Sequence, residues 1–391
     1  MSLRRLLLPA VLASGAIAAP AGAAPLVLTT QNGIVRQVVR GAQWASWVRC
    51  PAPNAPAEIW ARRIGGAKTL VQIPTAAPLS DCENQRLFGI SGSVVIARTV
   101  AGTQPARVVA LRIPDGAEIA VLDREIPGAT DTKIVTGDAY GPLVAWVRDS
   151  TQGANRFSEV LTWDLRTPAA PPVVVRRQTH TGGGIITGVW RGGSGEVMWR
   201  QSIPAGIYAA YAAGEETLVR RRADGTLQTI SRARGPIHIA QADLDRDFAV
   251  YSLIRDDSNA AYIYSRDLVR DQKRLLRVAP SAVRPKIRLG SDMPAPKVFG
   301  SVVAWRERER LSNRTFRDFI RRGDLVTHKL GVTGLLSDRK DQRVFQSAPD
   351  VFGRFATWAI VRFAGPTGWS GGYSGVASRP ATTQIVVAAI D

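Results

Sequence analysis

A short apolar stretch that ends in a large aromatic residue recurs along the chain, and this repeat constrains the fold more than any other feature. Six copies end in Trp or Tyr, and a seventh ends in Ala. We call these end positions the anchors; the intervals between them are 50, 49, 53, 52, 54 and 53 residues. The anchors are Trp47, Ala97, Trp146, Trp199, Tyr251, Trp305 and Trp358. This regularity predicts one architecture built from seven equivalent units.

The third unit shows the internal order of the repeat most clearly. Its alternating apolar, β-branched and turn residues predict four short strands, at Thr132–Thr136, Leu143–Val147, Glu159–Leu165 and Val173–Arg177. In the other units a strand follows the anchor at Glu58–Ala61, Arg107–Arg112, Ile207–Tyr211, Ala261–Ser265, Arg317–Arg321 and Gln384–Ala389. Four strands in each unit of about 40–55 residues are typical of a β-propeller blade, whereas a helical solenoid would show a 3.6-residue periodicity. We therefore predict an all-β, seven-bladed β-propeller with four-stranded antiparallel blades.

The two ends of the chain predict how the ring closes. The seventh unit ends at Asp391 after its third strand, so its fourth strand must come from elsewhere. An additional apolar strand, Leu26–Thr29, precedes the inner strand of the first unit, which is predicted at Ile34–Val39. We expect Leu26–Thr29 to pair into the last blade, because this leaves no open sheet edge.

The first 23 residues have the three parts of an export signal. Arg4 and Arg5 form a basic start, an apolar stretch follows, and Ala21 to Ala23 provide a small-residue cleavage site. We predict a signal peptide at 1–23, a single propeller domain at 24–391, and a periplasmic or extracellular location. The general secretory route is favoured because the match to a twin-arginine signal is poor. No later apolar run approaches the roughly 20 residues of a membrane-spanning helix.

The chain has only two cysteines, Cys50 and Cys82. In an oxidising compartment such a pair predicts one disulfide. Cys50 follows the second strand of the first unit and Cys82 lies in the connection to the next unit, and such connections share one face of a propeller. With two cysteines and three scattered histidines a Cys/His zinc site is excluded. We expect no cofactor and no metal.

Two stretches carry a resemblance to a known family: Gly-Ser-Val-Val-Ala-Trp at 300–305 and Tyr-Ile-Tyr-Ser-Arg-Asp-Leu at 262–268. This order of a Gly turn, Val-x-Trp and Ile-Tyr-x-x-Asp-Leu resembles the repeats of TolB-type periplasmic propellers and their secreted relatives. The resemblance implies a binding scaffold of the cell envelope and transfers no catalytic residue. TolB itself is similar to a six-bladed ring preceded by an α/β domain, whereas the present chain has seven units.

Positive charge gives the clearest indication of a ligand. The formal net charge is +19, and an arginine lies within four residues after every anchor. We predict that these arginines form a cationic ring around the channel mouth, and that two aromatic residues of a long Gly-rich loop add stacking surfaces. The predicted ligand-binding residues are Arg49, Arg98, Arg148, Arg200, Arg255, Arg306, Arg362, Trp369 and Tyr373. The alternative to a cationic ring is that the arginines reflect an arginine-rich composition, with charged residues ending strands and no role in binding.

The charge favours an anionic polysaccharide, another envelope polymer or an acidic protein as partner of a monomeric binding scaffold. Nucleic acid is disfavoured, because no recognition motif accompanies the charge. The alternative function is a polysaccharide lyase or glycoside hydrolase at the channel mouth, which would need two or three buried carboxylates converging there. Its candidate carboxylates are Asp149, Asp256, Asp257, Glu307 and Glu309, all predicted in loops.

Three further aspartates and the three histidines are interpreted as structural and not as metal-binding or catalytic residues. Asp243, Asp245 and Asp247 alternate as Ca²⁺ ligands do, but without the Gly and distal Glu of an EF-hand loop they predict a solvated turn. His180, His238 and His328 fall in different units, and none is expected beside a Ser or Cys in a nucleophile setting. We therefore assign no catalytic residue.

Overall fold

A computed structural model shows seven antiparallel β-sheets arranged as the blades of one ring. The structure describes residues 25–52, 55–65, 69–82, 84–126, 132–180, 184–204, 213–255, 260–280, 294–312, 315–339, 344–364 and 381–390. Among these residues no helix is long and apolar enough to cross a membrane. The prediction of a seven-bladed β-propeller is confirmed.

Blades 1 to 3 follow one another along the chain after a first strand that belongs to blade 7. That first strand, β1, is Leu26–Asn32. Blade 1 contains β2 to β5, which are Ile34–Arg40, Trp44–Cys50, Glu58–Arg63 and Leu70–Ile73. Blade 2 contains β6 to β9, which are Arg86–Ser91, Val94–Thr99, Arg107–Arg112 and Glu118–Arg124. Blade 3 contains β10 to β13, which are Thr132–Tyr140, Leu143–Gln152, Asn155–Asp164 and Val173–Thr179.

Blades 4 to 7 repeat this order. Blade 4 contains β14 to β17, which are Ile185–Arg191, Val197–Pro204, Ala213–Arg221 and Leu227–Arg234. Blade 5 contains β18 to β21, which are Ile237–Leu244, Phe248–Arg255, Ala260–Asp267 and Gln272–Pro280. Blade 6 contains β22 to β25, which are Lys297–Phe299, Val302–Ser312, Thr315–Asp324 and Leu330–Arg339. Blade 7 contains β26 to β29, which are Val344–Gln346, Asp350–Phe352, Phe355–Phe363 and Ala381–Ala389.

The N-terminal strand closes the ring as predicted. β1 pairs antiparallel with β29 and forms the outer strand of blade 7, with Leu26 opposite Val387 and Asn32 opposite Thr382. Leu28 of β1 is buried with Val35 and Trp47 of blade 1. The first strand of the chain therefore completes the last blade and packs against the first one.

The anchors form the cores between blades. All seven anchor side chains are at most 1% exposed. Trp146 packs with Phe88 of the preceding blade, and Trp305 packs with Val250 and Ile263 of blade 5. Each large side chain fills the wedge between two sheets, and the constant spacing of the anchors follows because every blade must fill the same wedge.

Two local predictions have different outcomes. Cys50 and Cys82 form a disulfide with their Cα atoms 5.8 Å apart, which confirms the predicted pair. The strand predicted at Ile207–Tyr211 is misplaced, because the strand that pairs with β15 is Ala213–Arg221 and Ile207–Tyr211 lies outside the described residues.

Candidate functional site

The inner strands of all seven blades line the central channel, and most of them share an irregularity. In blades 1 to 5 a register shift interrupts the inner strand at the level of the anchor, as between Ile134 and Thr136 in blade 3 and between Ile239 and Gln241 in blade 5. A β-bulge re-aims the side chains that follow it. Asp138 and Asp243 follow the bulges of blades 3 and 5 and belong to the charged part of the channel.

Four charged side chains from four different blades meet inside the channel. Lys297 of blade 6 places its Nζ atom 3.1 Å from Oδ1 of Asp243 in blade 5 and 3.6 Å from Oδ1 of Asp138 in blade 3. Asp350 of blade 7 lies close enough to act on the charge of the same lysine. Because three carboxylates surround a single ammonium group, the lysine acts as the internal counterion of the cluster. We call these four residues the channel cluster.

Each aspartate of the channel cluster also joins its own blade to the next one. Oδ2 of Asp138 accepts a hydrogen bond of 2.8 Å from the Arg191 amide, and Oδ2 of Asp243 accepts one of 2.8 Å from the Val298 amide. Oδ2 of Asp350 accepts one of 2.7 Å from the Arg40 amide, which connects blade 7 to blade 1. The three carboxylates therefore border the channel and also connect neighbouring blades.

Burial strongly changes the titration of the cluster. Burial raises the pKa of Asp243 to about 7, and this shift is partly opposed by Lys297. Burial also raises the pKa of Asp350, with the same lysine opposing it. Burial alone would lower the pKa of Lys297, but the fields of Asp138, Asp243 and Asp350 outweigh it and raise that pKa. The cluster keeps its lysine charged while two of its acids hold their protons more tightly than exposed carboxyl groups do.

Two buried arginines border the same cavity. Nη1 of Arg40 donates 3.0 Å to Oγ1 of Thr357, and Nη1 of Arg191 donates 2.8 Å to the carbonyl of Gly195. Burial lowers the pKa of both guanidinium groups to about 10, although nearby carboxylates oppose it. Among the described residues the Nε atoms of Arg40 and Arg191 have no hydrogen-bond partner. Both Nε atoms are enclosed by protein, with almost no surface open to the cavity.

Aromatic rings line the channel near the turns that join the first and second strands. Tyr140 and Phe299 stack with ring centroids 5.6 Å apart and planes 9° apart, and Phe352 lies 4.6 Å from Phe299. These rings come two residues after Asp138, Lys297 and Asp350 on their strands. The lining therefore includes a charged layer, with an aromatic layer on its turn side.

The channel encloses a cavity of about 320 Å³ that is bordered by all seven blades. Besides the charged and aromatic side chains, its lining includes Gln37, Thr136, Thr187 and Gln241. A cavity of this size with converging polar groups and perturbed pKa values is a typical site for a small ligand.

All seven predicted arginines lie on strands, and at least five of them make contacts within or between the blades. Arg49, Arg98 and Arg306 pair with Glu58, Glu125 and Asp318 at 2.9 to 3.0 Å. The remaining pairs join Arg148 to Asp123 and Glu159, and Arg200 to the carbonyl oxygens of Ile239 and Ala240. These contacts hold the five guanidinium groups against the blades.

The side chains of Arg255 and Arg362 are exposed, while Trp369 and Tyr373 lie outside the described residues. The two arginines lie on what we call the mouth face, formed by the starts of the first and third strands and the ends of the second and fourth strands. Among the described side chains this face exposes nine cations and one carboxylate, Asp81. The cations are Arg86, Arg124, Lys133, Arg156, Arg177, Arg232, Arg234, Arg255 and Arg362.

The opposite face, which we call the turn face, is more mixed. Its described side chains expose ten cations and five carboxylates. The cations are Arg63, Arg112, Arg166, Arg222, Arg246, Arg270, Lys273, Arg274, Lys329 and Arg354. The carboxylates are Asp115, Glu118, Asp224, Asp247 and Asp271. Three of the mouth-face cations have less exposed carboxylate partners, since Arg177 pairs with Glu159 and Arg232 and Arg234 pair with Glu215. The excess of exposed cations over exposed carboxylates is still larger on the mouth face.

Two predictions about acidic residues are wrong. Asp243 and Asp245 belong to or directly follow the inner strand β18 and are only 6% and 3% exposed, so they do not form a solvated turn. Glu307 lies within β23 rather than in a loop, where it is buried and accepts hydrogen bonds from Trp305 and Arg321. In both places the strand extends further than the turn residues indicated. Among the described residues no cluster of three or more His, Cys, Asp or Glu is arranged to hold a metal.

One histidine has a serine neighbour, but not in the arrangement of a nucleophile. Oγ of Ser158 lies 2.9 Å from Nε2 of His180 and donates 2.7 Å to Oδ1 of Asp149. Here the serine lies between the carboxylate and the imidazole, whereas a catalytic triad needs the imidazole between the other two groups. Ser158 is also fully buried. This cluster therefore cannot present a nucleophile to a substrate.

The sequence contains a signal for the channel cluster that the strand pattern alone does not show. Asp138, Asp243, Lys297 and Asp350 each lie eight residues before the anchor of their own unit. Equal spacing from equivalent anchors places them at the same level of the ring. Superposing the units on their anchors would have identified the cluster.

Comparisons with known proteins support the fold. No protein-family model matches the chain, and no curated protein matches its sequence. An oligogalacturonate lyase from Vibrio parahaemolyticus is similar at a TM-score of 0.50 and 10% identity, covering 93% of this chain and 98% of that one. TolB from Acinetobacter baumannii is similar at a TM-score of 0.42 and 11% identity, covering 76% of this chain and 68% of that one. The likeness to the lyase, at a TM-score of 0.50, is a likeness of fold.

Proposed function

We propose that this protein is an exported binding scaffold that holds an anionic polymer on its mouth face. The observation that carries the proposal is the contrast of nine exposed cations with one exposed carboxylate among the described residues of that face. The export-signal pattern of residues 1–23 and the Cys50–Cys82 disulfide support a location outside the cytoplasm.

The arrangement of the cations favours a polymer over a small anion. Lys133, Arg156 and Arg362 lie on three different strands, at the start of an inner strand, the start of a third strand and the end of a second strand. Charges distributed over a broad face add their fields across it. A chain of carboxylates, sulfates or phosphates can contact several of them at once, and guanidinium groups pair well with each of these anions. An acidic protein surface is the other partner that fits the same charge.

Charge reversal on the mouth face should weaken polyanion binding. We expect the triple variant Lys133→Glu, Arg156→Glu and Arg362→Glu to bind polygalacturonate or heparin roughly tenfold or more weakly than the wild type. The wild-type affinity should itself fall between about 50 and 300 mM NaCl, because the Debye length falls to a few ångströms. Isothermal titration calorimetry at both salt concentrations measures these effects.

The turn face provides a matched control with the same change in net charge. The variant Arg63→Glu, Arg222→Glu and Lys329→Glu also replaces two arginines and one lysine on exposed positions. We expect it to retain binding within about twofold, since its charges lie on the other side of the ring. Equal loss in both triple variants would mean that only the total charge matters and would contradict a site on the mouth face.

A lyase or glycoside hydrolase is the second candidate, and the channel cluster is the observation that favours it. Asp138 and Asp243 approach the same ammonium group, and the pKa of Asp243, raised to about 7 by burial, suits a general acid. However, every aspartate of the cluster also accepts a backbone hydrogen bond from the next blade, which gives each a structural role. New reducing ends in the titrated polygalacturonate would favour the enzyme over the scaffold.

A further inference from the structure

We propose that the central cavity is a second binding site, one that takes a neutral sugar of one or two rings independently of the mouth face. The cavity of about 320 Å³ lies at the lower end of the usual range for small-molecule sites. It is lined by all seven blades, so its shape is fixed by the closed ring.

The charges that border the cavity nearly balance. Three carboxylates of the channel cluster face one lysine, and three arginines, Arg40, Arg191 and Arg200, also contribute to the lining. Burial lowers the pKa of all three guanidinium groups, so they are held at a cost in solvation. A strongly anionic ligand would meet the three aspartates, and a strongly cationic one would meet the four basic groups. A neutral ligand avoids both conflicts.

Polar groups with exposed surface in the wall point to hydroxyl groups. The Gln241 side chain is exposed at the cavity, whereas the Nε atoms of Arg40 and Arg191 are enclosed by protein. The Lys297 side chain retains 28% exposure at the cavity, and Oδ1 of Asp138 lies 3.6 Å from its Nζ. A hydroxyl group donates and accepts at one atom, so a polyol can bond to the lysine donor and the aspartate acceptor together.

The aromatic layer adds the second element of sugar recognition. Tyr140 and Phe299 are nearly parallel, and Phe352 is tilted against Phe299. Flat apolar rings next to hydrogen-bonding groups complement a sugar, which has an apolar C–H face and polar edges. The amide side chain of Gln241 provides a further donor and acceptor in the same cavity, whereas the amide of Gln37 bonds to the backbone of Leu87.

A panel of free sugars tests this inference directly. Saturation-transfer NMR and calorimetry on the wild type would use glucose, galactose, N-acetylglucosamine, maltose and cellobiose as probes. We expect saturable binding of at least one of them. Asp243→Asn should weaken it roughly tenfold or more, because it removes a charged acceptor while keeping an oxygen for the Val298 amide.

A blocking variant keeps the test independent of fold stability. Gln241 is exposed and lines the cavity, so Gln241→Trp should obstruct it and abolish sugar binding. Gln72→Trp is the matched control, because Gln72 is exposed on the outer strand β5. It should leave sugar binding unchanged.

Sugar binding in the cavity can be measured independently of polyanion binding on the mouth face. The mouth-face triple variant should keep wild-type sugar affinity, so either site can fail without the other. The inference is overturned if no probe binds saturably, if Gln241→Trp binds like the wild type, or if free lysine or glycine betaine binds in place of the sugars. The last result would assign the cavity to a charged ligand.

Discussion

Deleting residues 24–30 is expected to lower the free energy of unfolding by about 5 kcal/mol or more and to make the protein aggregate. The deletion removes Leu26–Thr30, most of the strand that completes blade 7. It takes Leu28 out of a core shared with Val35 and Trp47. It also leaves the backbone of β29 as an open edge on which another chain can pair. Thermal melting and light scattering of the purified protein measure both effects.

A pair of point variants tests the same closure without shortening the chain. Leu28 is 7% exposed and Val27, its neighbour on the same strand, is 44% exposed. Leu28→Asp should cost about 3 kcal/mol or more, because it buries a carboxylate without a partner. Val27→Asp should change stability by less than about 1 kcal/mol. If both variants and the deletion melted like the wild type, β1 would not hold the ring closed.

Lys297→Met should destabilise the protein by about 3–5 kcal/mol at pH 8. The lysine is the ammonium group shared by Asp138, Asp243 and Asp350, and methionine fills similar space without the charge. Removing it leaves three carboxylates facing one another in the channel with no lysine to offset them. Chemical denaturation of wild type and variant at the same pH measures the difference.

The effect should depend on pH in a defined direction. A carboxyl group titrates near 3.9 in the unfolded chain, whereas burial raises the pKa of Asp243 to about 7 in the folded protein. Between these values the folded state binds more protons than the unfolded one, so this group makes the wild type lose stability as pH rises from about 4 to about 7. Asp350 has a pKa raised for the same reason and acts in the same sense.

Protonation should therefore rescue the variant in part. At pH 5 Asp243, whose pKa burial raises to about 7, is largely neutral, so the deficit of Lys297→Met should be smaller at pH 5 than at pH 8. Lys329→Met is the control, since Lys329 is exposed on the turn face. A deficit of equal size at both pH values would show that the lysine acts through packing and not through its charge.

The fold could be predicted from the sequence because its determinants are local and repeated. The anchor of every unit lies in the space between two blades, and so the regular intervals between anchors give the number of blades. The topology of a closed ring is enough to predict that the additional strand before Ile34 completes the last blade. It also places Cys50 and Cys82 on one face, where they form a disulfide. The third strand of blade 4 was predicted at Ile207–Tyr211 instead of Ala213–Arg221, because an apolar run does not by itself show which segment pairs with the neighbouring strand.

The site was harder to predict because it depends on side chains brought together from distant blades. The ion pair of Arg306 with Asp318 follows from the register of β23 and β24, which no pattern of single residues specifies. Arg49 and Arg98 have cross-strand or inter-blade partners for the same reason. Asp138 and Lys297 are 159 residues apart in sequence and meet only when the ring closes.

Hydrogen–deuterium exchange with and without polygalacturonate tests most directly whether the mouth face is the polymer-binding surface. Bound polymer should slow exchange in peptides that contain Lys133, Arg156 and Arg362, on strands β10, β12 and β28. Peptides that contain Arg222 or Lys329, on the turn face, should exchange at the same rate in both samples. Protection confined to the turn face, or spread evenly over both faces while the polymer is bound, would contradict the account.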